Sequence, residues 1–149
     1  MTAIPPGSTA PPIPGVAFDR PKALYFFKVT CPVCQLSAPV SEAFERAYPG
    51  RIVGVGQDPP GKLGRFSGQF GLTYPFLADD PPYPVSAAYG LRVVPTLFLV
   101  DEGGTVLESV ESWDREGFNR VSEHLAELTG APPAEVSNPS DGLPPFRPG

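Results

Sequence analysis

The feature that most constrains this chain is the stretch Phe26-Phe27-Lys28-Val29-Thr30-Cys31-Pro32-Val33-Cys34-Gln35, where an apolar run from Ala23 to Phe27 gives way to a Cys-x-x-Cys. A helical period begins directly afterwards. Leu36, Val40, Phe44 and Ala47 recur at spacings of four, four and three, which is one face of a helix. The cysteines therefore sit where a buried strand hands over to a helix. Cys31 falls at or next to the N-cap and Pro32 at the first helical position, where a missing N–H costs nothing. Cys34, three residues on, lies about one turn along the same face, within reach of a disulfide.

That placement sets the expected chemistry. A thiolate at a helix N-terminus faces unpaired backbone N–H groups and the positive end of the helix dipole, and cysteines so placed in Cys-x-x-Cys motifs become reactive. Cys31, at the helix tip, is expected to be the nucleophile, and Cys34, one turn inside, the resolving thiol. Structural zinc needs four ligands, and the chain offers two cysteines and one histidine. A purely structural disulfide closing so short a loop gains little. Redox use is the stronger reading.

The rest of the chain frames this motif. Its 149 residues are enough for one domain with a real core. Half of the 22 prolines lie in the two ends, five in residues 1–16 and six in residues 131–149, and neither end shows apolar periodicity. Both read as extended, mobile tails flanking a compact domain of residues 17–130. Met1 to Ile4 lacks the start of a signal peptide and no apolar run approaches membrane-spanning length, so a cytoplasmic protein without membrane contact is expected. The net charge is −5 with scattered basic residues, which argues against a nucleic-acid surface.

In order, the elements alternate. Strands are expected at 22–28 and 51–56, a helix through 37–48, and a short helix at 62–70 with Leu63, Phe66 and Phe70 inward. A short extended piece follows at 74–77, then a helical turn or two at 85–89 ending at Gly90. Residues 96–100 are apolar throughout, as in a central strand, and Asp101-Glu102-Gly103-Gly104 turns the chain into an antiparallel return at 105–110. Asp114 is expected to cap a last helix with Phe118, Val121, Leu125 and Leu128 inward, closing at Gly130. Phe66, Phe70, Tyr74 and Phe76 read mostly as core, Trp113 as a lid on it, His124 as structural and Lys28 as a solvated strand-end lysine. The pattern implies an α/β fold, a mixed β-sheet with helices on both faces, parallel in its first half and antiparallel at the hairpin. The cysteines then lie at the C-terminal end of a strand, where open α/β sheets place their sites.

A second motif, Arg92-Val93-Val94-Pro95-Thr96-Leu97, puts a proline just before a strongly apolar strand, where it removes a ladder donor. Together with Cys31-Pro32-Val33-Cys34 and the terminal hairpin and helix, it resembles the thioredoxin superfamily over essentially all of residues 17–130. The resemblance implies a thioredoxin-like fold, a cis bond at Val94–Pro95, and substrate contacts from Val94, Pro95 and the residues flanking Cys31, Thr30 and Pro32. The longer segment around Tyr74–Leu91 resembles the insertion shared by TlpA-like reductases and peroxiredoxins. A peroxiredoxin site of the form Pro-x-x-x-Thr/Ser-x-x-Cys does not fit. Counting back from Cys34 those positions hold Phe27 and Cys31, and from Cys31 they hold Leu24 and Lys28. The TlpA-like thiol–disulfide oxidoreductase is therefore the expectation, with a peroxiredoxin-like peroxidase and a redox-inert binding module as alternatives.

The resemblance also implies a monomer that uses a redox-active Cys31–Cys34 disulfide in place of a metal or organic cofactor, with protein disulfides or dithiols as substrates and a thioredoxin-type electron partner. The chain departs from the family in its acids. The position of thioredoxin's buried acid holds Tyr25, and that of the glutamate common in TlpA-like proteins holds Ser37. No carboxylate is evident to take the Cys34 proton.

Overall fold

The computed structural model describes residues 3–149. Its centre is a five-stranded sheet built from β1 (Lys22–Phe27), β2 (Ile52–Gly56), β3 (Phe76–Ala78), β4 (Thr96–Val100) and β5 (Val106–Glu111), in the order β3-β2-β1-β4-β5. β1 runs parallel to β2, and β2 to β3, whereas β4 lies antiparallel to both β1 and β5. The mixed sheet expected from the sequence is thus present. Helix α1 (Pro32–Ala47) links β1 to β2, α2 (Pro60–Phe70) and the short α3 (Pro84–Ala88) follow, and α4 (Arg115–Thr129) comes after the hairpin. A two-residue strand β6 (Trp113–Asp114) pairs antiparallel with β7 (Phe146–Arg147) near the end of the chain.

Side chains alternate across a strand, and the two central strands use both directions for core. Ala23, Tyr25, Phe27, Leu97 and Leu99 point into one cluster with Phe44, Leu63, Phe118, Val121 and Leu125 from α1, α2 and α4. Leu24, Phe26, Phe98 and Val100 point into the other, with Val85 and Tyr89. Burial on both faces is why β1 and β4 read as unbroken apolar runs. Gly56 lets α2 come close, because a side-chain carbon there would collide with Leu63.

Four expectations need correction. Leu128 is exposed, because the inward stripe of α4 drifts onto Ser122 and Ala126. Phe76 is exposed too. It lies on the edge strand, opposite Gly54, which offers no side chain to cover it. Asp114 occupies the N-cap of α4 without a side-chain capping bond, and the Arg115 N–H donates instead to the Pro145 carbonyl (3.0 Å).

The fourth correction concerns the ends, which are extended but packed on the domain. Ala3, Ala10 and Ile13 are buried in the second cluster. Backbone bonds tie Gly7 and Ser8 to Val106 and Ala10 to Gly104 (2.7–2.9 Å), and the Tyr89 hydroxyl donates to the Pro11 carbonyl (2.7 Å). At the other end Val136 and Ser137 are buried, and the Tyr48 hydroxyl accepts from the Ala134 N–H (3.0 Å). The Trp113 indole donates to the Pro144 carbonyl (2.7 Å) and the Arg115 guanidinium to the Leu143 carbonyl (2.7 Å). Proline leaves little apolar periodicity to read, yet loses little entropy when a segment is laid down extended.

Candidate active site

The dithiol forms at the top of β1. After Phe27 the chain turns through Lys28–Thr30, with the Cys31 N–H donating to the Lys28 carbonyl (3.1 Å). Cys31 is the N-cap of α1, in an extended conformation, and its carbonyl receives the first helical bond from Gln35 (3.0 Å). Pro32 takes the first helical position, where no N–H is needed. Cys31 is half-buried and Cys34 fully buried, and both are thiols in this structure.

The turn before Cys31 is clamped from two sides. The Val29 N–H donates to the Asp58 carboxylate (2.8 Å), and the Val29 carbonyl accepts from the Gln35 side chain (2.9 Å). Asp58 comes from the loop after β2 and is itself buried. A carboxylate at the end of the strand beside β1 is the signal by which sequence reasoning could have found it.

The second loop brings Val94 to the thiol. The Cys31 thiol donates to the Val94 carbonyl at 3.5 Å, and the Val94–Pro95 peptide is cis. The loop is held by the Thr96 hydroxyl donating to the Val93 carbonyl (2.9 Å) and the Ser112 N–H to the Pro95 carbonyl (2.8 Å). Pro95 is buried and Val94 half-buried, so Val94 is the member with surface to offer. Thr30 and Pro32 are exposed on either side of Cys31. The structure therefore brings Cys31, Cys34, Val94 and Pro95 together, with Thr30 and Pro32 at the rim.

Behind the dithiol, the two positions at which the resemblance implies an acid hold a hydroxyl pair. Tyr25 and Ser37 are hydrogen-bonded at 2.6 Å, and the Tyr25 hydroxyl also donates to the Cys34 carbonyl (3.3 Å). Burial pushes the Tyr25 hydroxyl well above its ordinary range, so it stays neutral. Burial likewise pushes the Cys34 thiol up, opposed by a hydrogen bond from the Lys28 backbone, with the neighbouring Cys31 sulfur and the Asp58 carboxylate adding to the rise. Lys28 is half-buried. His124 lies away from the site, against Glu108 (3.0 Å).

A parallel β1–β2 pair, an antiparallel β4–β5 hairpin, a Cys-x-x-Cys at the tip of α1 and the Val94–Pro95 loop facing it define a thioredoxin-like chain. It belongs to the Redoxin family, whose model matches residues 17–124. The thiol–disulfide oxidoreductase ResA of Halalkalibacterium halodurans is 29% identical over 89 residues, covering 57% of this chain and 50% of ResA. The chain therefore spans half the length of that curated relative. A secreted Mycobacterium tuberculosis disulfide oxidoreductase homologous to Escherichia coli DsbE superposes with a TM-score of 0.62 at 23% identity, over 74% of this chain and 83% of that one. The thioredoxin domain of a Bacteroides vulgatus thiol–disulfide oxidoreductase gives 0.68 at 19% identity, over 83% and 99%. These likenesses carry the fold and agree with a TlpA-like reading.

They also overturn the cytoplasmic expectation, since one of these similar proteins is secreted. That expectation rested on Met1–Ile4, of which Met1 and Thr2 lie outside the described residues. Among the described residues no helix is long and apolar enough to cross a membrane.

Proposed function

We propose that this chain is a thiol–disulfide oxidoreductase that exchanges its Cys31–Cys34 pair with protein disulfides or dithiols. The observation that carries the reading is the half-buried Cys31 thiol at the N-cap of α1, 3.5 Å from the carbonyl of Val94, with Cys34 buried one turn behind. In the reducing direction the Cys31 thiolate attacks one sulfur of the substrate disulfide. That S–S bond breaks, and the departing substrate sulfur takes a proton. Cys34 then gives up its proton and attacks the Cys31 sulfur, which releases the second substrate thiol and leaves the Cys31–Cys34 disulfide. Two electrons pass from the dithiol to the substrate. Oxidation is the same sequence reversed.

In this reading Val94 presents its peptide group to an extended substrate segment, with Pro95 fixing the loop beneath it and Thr30 and Pro32 bordering the attacked sulfur. The protein works as a monomer, needs no group beyond its own dithiol, and is recharged by a thioredoxin-type partner. Changing Cys34 to Ser tests the roles. Attack survives and release is blocked, so covalent adducts to Cys31 accumulate with a protein disulfide substrate, whereas Cys31→Ser forms none. Equal trapping by both variants, or by neither, refutes the assignment. Turnover of hydroperoxide by the Cys34→Ser variant would instead make the chain a peroxidase.

A further inference from the structure

The segment 147–149 lies against the peptide proposed to hold substrate. From Leu143 to Pro145 the segment is rooted firmly, its three carbonyls accepting from the Arg115 guanidinium, the Trp113 indole and the Arg115 N–H. Trp113 is fully buried and Leu143 packs half-buried against the core cluster, so the root is anchored to the domain. Beyond the root, Phe146 and Arg147 pair with Asp114 and Trp113 but are exposed. The tip is held by one side-chain bond, from the Gly149 N–H to the Ser112 hydroxyl (3.0 Å).

At that tip Gly149 lies directly on the Val94 carbonyl. A side-chain carbon added to Gly149 would collide with the carbonyl oxygen, would sit 3.0 Å from the carbonyl carbon, and would crowd the Val93 Cβ at 3.3 Å. Only a residue without a side chain fits there. Gly149 also forms one wall of a groove of about 380 Å³ lined by Gln57, Leu91, Arg92, Val93 and Val94. The same Val94 carbonyl receives the Cys31 thiol, so the tip touches the carbonyl that an incoming chain would need.

We infer that residues Arg147–Gly149 are a built-in occupant of the substrate groove, which an extended polypeptide segment must displace to pair with Val94. This rests on the proposed role of Val94 in holding substrate. The root stays in place while the tip lifts, because one neutral hydrogen bond and an exposed strand pair hold the tip. A protein disulfide in an extended segment competes with the tip; a small disulfide that reaches Cys31 without pairing to Val94 does not. The occupied position faces a carbonyl at close range, so the displacing segment is expected to carry a small residue there.

Two variants test this, one ending at Phe146 and the other the full chain with Ser112→Ala. Both keep the bonds of the root. Each is compared with the parent in kcat/KM for insulin disulfides, in kcat/KM for bis(hydroxyethyl) disulfide, and in hydrogen exchange of the Val94 and Thr96 amides. Loss of a single neutral bond that holds a competing state corresponds to a gain of about fivefold. The insulin value is expected to rise by about that factor, the small-disulfide value to stay unchanged, and exchange at Val94 to quicken. Unchanged exchange at Val94 in both variants would overturn the inference, as would an insulin value that is measurable in the parent and stays level or falls in the variants. If no form turns over insulin while exchange at Val94 still quickens, the occupant stands and the proposed activity fails.

Discussion

Release of the mixed disulfide should be the slow step, and its pH dependence can be worked from the burial of Cys34. An ordinary thiol with a pKa of about 8.5 is about 3% thiolate at neutral pH. Cys34 has no exposed surface, and burial raises it above that ordinary value. Only its thiolate can attack Cys31. The neutral form is the one favoured by burial, so attack becomes competent only as pH rises, about tenfold per unit below the pKa. The assay uses an aryl disulfide such as dithiobis(nitrobenzoate). Cys31 attack releases a first coloured thiolate and leaves an aryl adduct, and Cys34 attack releases a second. Loading at low pH followed by a jump isolates the second release, whose leaving group is already ionised. Its logarithm should climb with a slope near one from about pH 6 to about pH 9, with no levelling where an ordinary thiol would level. Cys34→Ser should give the first release only. A plateau below about pH 8.5 would refute the argument that burial governs Cys34.

Three further outcomes follow from the same geometry. Asp58→Asn keeps an oxygen for the Val29 N–H but removes a charge that raises Cys34, so the second release should quicken at fixed pH with the fold unchanged; Asp58→Ala, which breaks that bond, should cost about 1–3 kcal/mol in denaturant unfolding. Ile13→Ala removes a buried side chain from the N-terminal segment and should cost about 2–5 kcal/mol, read as a Tm lowered by about 2–4 °C for each kcal/mol; an unchanged Tm would mean that the segment is not docked. Gly56→Ala drives a methyl group into Leu63 and should cost about 1–3 kcal/mol by overpacking, measured the same way.

What could be read from the sequence was what local chemistry dictates. The strand ending at Phe27, the helix beginning at Pro32 and the apolar run Thr96–Val100 each announce themselves by period and punctuation, and the structure places them within a residue or a few of the expected bounds. The pairing of Cys31 with Val94 came from the resemblance, because 63 residues separate them and no local rule connects such positions. Asp58 and the Tyr25–Ser37 bond escaped notice for a related reason. A carboxylate in a turn and a tyrosine in an apolar strand look ordinary until the fold places them beside the dithiol. The ends were misread because proline hides apolar periodicity: Ile13 is a core residue with no periodic neighbours to mark it.

The docking of the N-terminal segment settles how one rim of the sheet is finished. β5 is the last strand in the order, and a strand in that place offers unpaired N–H and C=O groups to any other extended chain. At its first residue this opportunity is closed off: Val106 gives its N–H to Ser8 and its carbonyl to Gly7, and Thr9 bridges Thr105. The covering segment is a poor template in its turn, since Pro5, Pro6, Pro11 and Pro12 have no N–H to donate outward. At that end of β5, sheet growth therefore stops at the segment instead of passing through it. A version of the protein shortened by its first fourteen residues would lose more than buried surface. It would regain a sticky edge, and self-association that increases with concentration would be its signature.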